Sequence, residues 1–288
     1  MSIKKVKQPG YKKIQLEILE EFIHICEKNN LVWYAIGGTV LGAVRHQGYI
    51  PWDVDIDVGM MRNDYEKFIS ICSTQLSEKY TLATYKNQKY HYSPHAKIYR
   101  NNSIFILGHN GKDINKNKKD HKGIFIDIFP LDNAPEGDIC QKKHSKELFK
   151  IKKLQYYKQG HIFSAGFLGT KLIGKRIISL FLLPISMRKI NKKLDDVMTK
   201  YRNSNSGYIV SMASKYSYEK QLMKKEVYGI PKKIKFEDTI INIPEEYDFY
   251  LTRLYKDYMK LPSEEERIKN QEMVLYYELP SDVIEDRE

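Results

Sequence analysis

The chain has 288 residues, 42% hydrophobic and 29% charged, ordinary values for a protein able to bury a sizeable core in one large or two small domains. Its three cysteines, Cys26, Cys72 and Cys140, are widely spaced and form no CxxC or Cys/His cluster, so neither a disulfide framework nor a zinc site is indicated and a reducing cytosol fits. The net charge of +12 is concentrated in Gln141–Lys200, which holds 15 Lys/Arg against 3 Asp/Glu, and no nucleic-acid-binding motif accompanies it.

The N-terminal residues carry positive charge but no apolar core of the kind a signal peptide needs. "YKKIQLEILEEFIHICEKNN" spaces Ile14, Ile18, Leu19, Phe22 and Cys26 as a helix face and ends on two asparagines. "LVWYAIGG" predicts a short strand stopped by Gly37 and Gly38. "TVLGAVRHQG" predicts a helix opening at Thr39 and closing near Gly48. "VDIDVGM" is the next strand and "RNDYEKFISICSTQL" the next helix. "HAKIYR" and "NSIFIL" read as strands around an Asn-Asn turn. "GIFIDIFPLDN" reads as a strand ended by Pro130, preceded by a polar loop, "GHNGKDINKNKKDHKG". From about Asp138 to Arg202 the pattern is mostly helical, interrupted near Gly160–Gly169 and at Pro184. An extended stretch, "KIKFEDTIINIP", and a helix, "EEYDFYLTRLYKDYM", follow. The expected organisation is a catalytic core over 1–135 and a helical, basic accessory region over 136–288 that is not independent.

Three pieces carry chemistry. Asp53, Asp55 and Asp57 alternate with Val54, Ile56 and Val58, so a strand would put the carboxylates on one face. From the strand rise they would stand about 7 Å apart, repelling one another unless a hard cation such as Mg2+ neutralises them. Gly37-Gly38-Thr39 would let backbone approach a phosphate at a helix N-terminus. Asp127, in an otherwise apolar strand, is a further metal ligand, a general base or a hydrogen-bonded structural residue. Asp132, after the strand, reads as a structural residue that would cap a turn.

The run "GGTVLGAVRHQGYIPWDVDIDVGMMRNDYEKF" resembles the signature of the LicD family, whose members transfer phosphocholine from CDP-choline to surface-polysaccharide sugars. The family is also similar to the fukutin-related proteins, which use CDP-ribitol. "GIFIDIFPLDNAP" and "IPEEYDFYLTRLYKDYMKLPSEEER" continue the likeness, which covers about residues 11–135 and 236–268. Two positions depart from the pattern: Val54 where relatives often carry a third consecutive acid, and Lys256 where a glycine is expected.

The resemblance implies an α+β, nucleotidyltransferase-like mixed sheet with flanking helices, joined to a mostly helical C-terminal half. It implies that Asp55 and Asp57, with Asp127 on a later strand, hold Mg2+ or Mn2+ with help from Asp53. A CDP-alcohol would place its pyrophosphate at Gly37, Gly38 and Thr39, a sugar hydroxyl would attack, and CMP would leave. Asp127 is the candidate base. Arg45 is a candidate phosphate clamp or a surface salt bridge. Lys97 is a candidate pocket lysine or a strand-edge residue. Trp52 reads as core support rather than a platform for choline, and Tyr90, Tyr92 and Tyr99 are unplaced aromatics for a choline pocket. The donor is CDP-choline, or else CDP-ribitol or CDP-glycerol. Nucleotidyl transfer from an NTP and a non-enzymatic membrane- or glycan-binding role are the alternatives. The basic, partly apolar 141–200 segment suits either contact with an anionic membrane or a helical hairpin packed on its own domain. Membrane contact would place the enzyme in the cytoplasm, peripheral to the inner membrane face, with a lipid-linked sugar acceptor.

Overall fold

A computed structural model describes residues 9–89, 91–109, 112–113, 123–158, 185–270 and 273–283. In chain order the elements are α1 (Gly10–Lys28), β1 (Tyr34–Ala35), α2 (Gly37–His46), β2 (Asp57–Met61), α3 (Arg62–Gln75), β3 (Tyr80–Ala83), β4 (Ala96–Arg100), β5 (Ile104–His109), β6 (Lys112–Asp113) and β7 (Phe125–Ala134). There follow α4 (Asp138–Lys158), α5 (Met187–Met198), β8 (Tyr208–Val210), α6 (Tyr218–Gln221), β9 (Met223–Lys224), α7 (Lys225–Tyr228), β10 (Lys232–Phe236), β11 (Thr239–Ile243), α8 (Tyr247–Tyr255), α9 (Glu264–Asn270) and β12 (Met273–Glu278). The architecture is α+β.

The chain packs as two compact units whose boundaries do not follow the expected division at 135. The first comprises Met1–Leu82, Lys97–Phe129 and Glu226–Glu288; the second comprises Ala83–Ala96 and Pro130–Lys225. The C-terminal stretch belongs with the N-terminal core because it supplies sheet and helix that bury apolar surface there: Phe236, Ile241, Ile243, Tyr250, Leu251 and Leu254 are all buried. Among the described residues after 136 there are five strands, β8 to β12, beside the helices.

The first unit is built on a sheet ordered β1-β2-β7-β4-β3, a hairpin β10-β11 and a sheet β12-β5-β6. In α1, Ile14, Ile18, Leu19, Phe22, Ile25 and Cys26 are essentially inaccessible, as their three- and four-residue spacing requires. Phe22 packs against Trp33 and Phe68 at ring-centroid distances of 5.3 and 5.0 Å. Each such side chain contributes about 1.5–3 kcal/mol of transfer free energy.

Some expected boundaries move. β2 begins at Asp57, so residues 53–56 lie before the strand, although the alternation of half-buried aspartates with buried Val54, Ile56 and Val58 holds throughout. β7 continues past Pro130 to Ala134, a proline within the strand. Asp132 is consequently no turn cap: it lies on β7 opposite Val210, 1% exposed. The "KIKFEDTIINIP" stretch is the β10-β11 hairpin, turned at Glu237, whose φ is 55°.

In the second unit the end of β7 pairs antiparallel with β8, and β8 with β9. Its helices α4 and α5 pack together around His144, Leu148, Ile190 and Leu194. Residues 159–184, with the interruptions expected near Gly160–Gly169 and at Pro184, lie outside the described residues. Most of the polar 108–123 loop and Tyr90 also lie outside them. Among the described residues no helix is long and apolar enough to cross a membrane.

Candidate active site

The carboxylates meet because of strand register. The Asp127 N–H donates to the Ile56 carbonyl at 2.9 Å. That bond sets β7 beside the 53–57 segment with Ile56 buried on one side, leaving Asp55 and Asp57 on the other, flanking the level of Asp127. One oxygen from each of Asp55, Asp57 and Asp127 lies within 4.8 Å of the others. Three hard oxygen donors at that separation could hold Mg2+ or Mn2+.

The Gly-Gly turn holds Asp57. The Ile36 N–H donates to the Asp57 carbonyl at 3.0 Å, and the Asp57 N–H donates to Thr39 Oγ1 at 2.8 Å. Gly37 takes φ +57°, a conformation that a β-carbon disfavours, and its N–H donates to the Tyr250 hydroxyl at 2.9 Å. So Thr39 is a buried positioning residue for Asp57, and the Gly37 amide is already committed within the protein. This turn was expected to present its groups to phosphate; the Gly37 amide bonds Tyr250 and the Thr39 hydroxyl bonds the Asp57 amide.

Asp53 lies outside the group of three. Its Oδ1 accepts from the Val54 N–H, and its Oδ2 sits 2.4 Å from where a β-carbon on Gly38 would be. Its carboxylate thus lies at the start of α2, where a negative charge meets the helix dipole.

Lys97 is drawn in. Its Nζ is 2.6 Å from Asp127 Oδ1, with both side chains nearly buried, and 3.5 Å from the centroid of the Phe125 ring. It is an interior β4 residue rather than a strand-edge lysine, and a carboxylate so held still has a second oxygen. Arg45 has other partners. Its guanidinium donates to the Tyr258 carbonyl at 2.7 Å and to His46 Nε2 at 2.9 Å. The Trp52 ring stacks with cations of the chain itself, the Arg267 guanidinium lying 4.9 Å and that of Arg45 6.0 Å from its centroid, which fits the supporting role. Tyr99 is a core residue, 2% exposed, edge-on to Phe125.

The residue that sequence reasoning missed is Gln15. It is fully buried in α1. Its Nε2 donates to the Val54 carbonyl at 2.8 Å and to the Phe125 carbonyl at 3.2 Å, while its Oε1 accepts from the Tyr49 hydroxyl at 3.2 Å. One side chain ties the Asp53–Asp57 segment to the strand of Asp127. The available signal was a glutamine beside Ile14 on an otherwise apolar face. Nearby, burial with the charges of Tyr277, Asp53 and Asp55 pushes the Tyr11 hydroxyl up to about 12. Burial lowers the Lys12 ammonium, opposed by Asp53 and Glu237.

Residues 30–169 match the family model described as LicD/FKTN/FKRP, nucleotidyltransferase domain. The chain is also 30% identical over 275 residues to the lipopolysaccharide cholinephosphotransferase LicD of Haemophilus influenzae, covering 92% of this chain and 96% of that protein. The chain belongs to the LicD family. An uncharacterised protein of Rickettsia prowazekii is 30% identical over 155 residues, 54% of this chain and 51% of its own length. LicD membership makes the chain a phosphotransferase-type enzyme, and the carboxylate group lies within the matched span. Lys256, the departure from the family's glycine, sits just after α8 at φ 60° and ψ −120°, a backbone state natural to glycine.

Proposed function

We propose that this LicD protein transfers phosphocholine from CDP-choline to a sugar hydroxyl of a surface-glycan precursor, releasing CMP. The observation that carries the reading is the meeting of Asp55, Asp57 and Asp127 in a chain that aligns along nearly its whole length with a lipopolysaccharide cholinephosphotransferase. When bound there, a divalent cation supplies charge neutralisation for the diphosphate and orients in-line displacement.

The chain's residues divide the remaining work. Asp55 and Asp57 are the principal ligands, and Asp127 completes the set. Lys97 fixes Asp127 and adds a positive charge beside the phosphates. Thr39, the Ile36 amide and Gln15 hold the carboxylate-bearing backbone in place, which matters because a displacement near 1 Å can cost about 100-fold in rate. The start of α2, with Gly38, faces the donor's pyrophosphate. Where Asp127 keeps its second oxygen off the cation it accepts the proton of the attacking hydroxyl; otherwise a hydroxyl acidified by the cation loses that proton to solvent. A lipid-linked acceptor and a site of action at the cytoplasmic face of the membrane belong to the same reading.

The test is a panel of CDP-choline, CDP-ribitol, CDP-glycerol and CTP, with Mg2+ or with EDTA, and with a candidate glycan acceptor. Metal-dependent CMP release from CDP-choline above the others supports the proposal. CMP from CDP-ribitol or CDP-glycerol would replace the donor and keep the reaction class. Pyrophosphate from CTP would overturn it in favour of nucleotidyl transfer.

A further inference from the structure

The second unit carries a surface that the phosphotransfer chemistry does not use. Helix α4 buries one side, through His144, Leu148 and Gln155. On the outer side Ile139, Lys142, Lys146, Phe149, Lys153 and Tyr156 follow one another at alternating steps of three and four residues, which stacks them along a single face. All six are exposed. The three large apolar or aromatic members are open to solvent to an unusual degree: Ile139 at 84%, Phe149 at 66% and Tyr156 at 51%.

Charge says what fits this face. The helix has two acids. Asp138 is at its first residue, and Glu147 is bound to Lys200, 2.6 Å away. Exposed Lys143 and Lys150 border the face on one side, so its field is positive along the whole helix. Lysines interleaved with exposed isoleucine, phenylalanine and tyrosine suit a surface that offers anionic phosphate outside and hydrocarbon just beneath. A polynucleotide would satisfy the lysines but leave Ile139 without use, since base stacking needs flat partners.

We propose that the outer face of α4 docks on an anionic phospholipid bilayer, the lysines pairing with headgroup phosphates and Ile139, Phe149 and Tyr156 entering the interface. The contact is peripheral. It deepens the membrane-face part of the proposed function and does not depend on the nucleotide donor or the carboxylates, so its failure and the failure of the catalytic proposal are separable.

The test uses the full chain at physiological salt. Cys26 and Cys72 are buried, and exposed Cys140 stacks with His144 and Leu148 on the inner side of α4, so an environment-sensitive thiol probe is attached at Lys142→Cys in a Cys140→Ser background, where it reports on this face. The labelled protein should cosediment with vesicles of phosphatidylglycerol mixed with phosphatidylcholine, with a blue shift of the probe, and should ignore pure phosphatidylcholine. Lys146→Gln with Lys153→Gln should weaken binding by roughly tenfold or more. Ile139→Ser with Phe149→Ser should weaken it by roughly tenfold and abolish the blue shift. Transfer to a soluble acceptor should be unchanged in both double variants. Equal binding to both vesicle types, no binding at all, or variants that bind like the parent would overturn the proposal. So would a polynucleotide that binds tightly and strips the protein from vesicles.

Discussion

In the first unit, buried charge near the carboxylates is met by opposite charge, although burial also lowers Lys12 against the pull of Asp53 and Glu237. Lys97 lies on Asp127, buried Arg100 is bound to Asp282, and the three carboxylates lie where a cation could join them. In the second unit, buried bases are driven towards neutrality instead. Burial pushes the Lys152 ammonium down to about 8, with the Ser214 carbonyl 2.6 Å away as its acceptor. Burial likewise lowers His144, whose Nε2–H donates to the Val197 carbonyl while Nδ1 accepts from the Tyr218 hydroxyl. The second unit keeps its positive charge on the outside, along α4 and on Arg188, Lys189, Lys192 and Lys193 of α5. One unit gathers ionised groups around the Asp55, Asp57 and Asp127 carboxylates. The other lowers its buried bases, buries Asp132 as well, and presents a charged surface.

The sharpest way to break this contrast is Asp55→Asn. It removes one carboxylate from the group and should reduce transfer by about 1,000-fold, near 4 kcal/mol of transition-state stabilisation, while the melting temperature holds or rises as repulsion is relieved. Retained activity would sever the carboxylate group from catalysis. Gln15→Leu is the next largest. It leaves two buried carbonyls with lost partners, about 1–3 kcal/mol each, and should lower kcat by roughly 10- to 100-fold with KM for the donor moving little. A stability loss with unchanged kcat would make Gln15 a packing residue only.

Lys152→Met tests the second unit. The folded-state pKa is lowered, so between about 8 and the ordinary lysine value near 10.5 the unfolded chain binds more protons, and stability must rise with pH across that window. Below about 8 both states are protonated and the burial penalty is present in full. The variant should therefore be about 1–2 kcal/mol more stable at pH 7 and lack its parent's rise between pH 8 and 10, read by thermal unfolding at each pH. The smallest effect is Lys256→Gly, which relieves a left-handed φ and should stabilise by about 1 kcal/mol without changing transfer.

The site was legible where side-chain chemistry is periodic. Alternating aspartates between Val54, Ile56 and Val58 announce a one-sided acidic face whether or not the segment is formally a strand. Asp127 stands out because an acid in an apolar run needs a partner, and Lys97 provides one. What remained hidden depends on register and on bonds distant in sequence. Nothing local says that Thr39 will spend its hydroxyl on the Asp57 amide, that Asp53 will turn to Gly38, or that Arg45 will reach the Tyr258 carbonyl. Gln15 bonds to residues 39 and 110 positions away. The glycine preference at 256 was legible through the resemblance, and its cause, the positive φ after α8, is a structural fact. The continuation of β7 through Pro130 and the return of 226–288 to the first unit are tertiary outcomes that local pattern does not encode.

The central claim is that Asp55, Asp57 and Asp127 hold a divalent cation that meets a CDP-alcohol. Mn2+ binding, followed by the loss of its free-ion electron paramagnetic resonance signal, tests this directly in the parent and in Asp55→Asn, with and without CDP-choline. The account predicts binding by the parent that tightens when CDP-choline is added, and little of either in the variant. Equal Mn2+ binding by parent and variant, insensitive to CDP-choline, would contradict it.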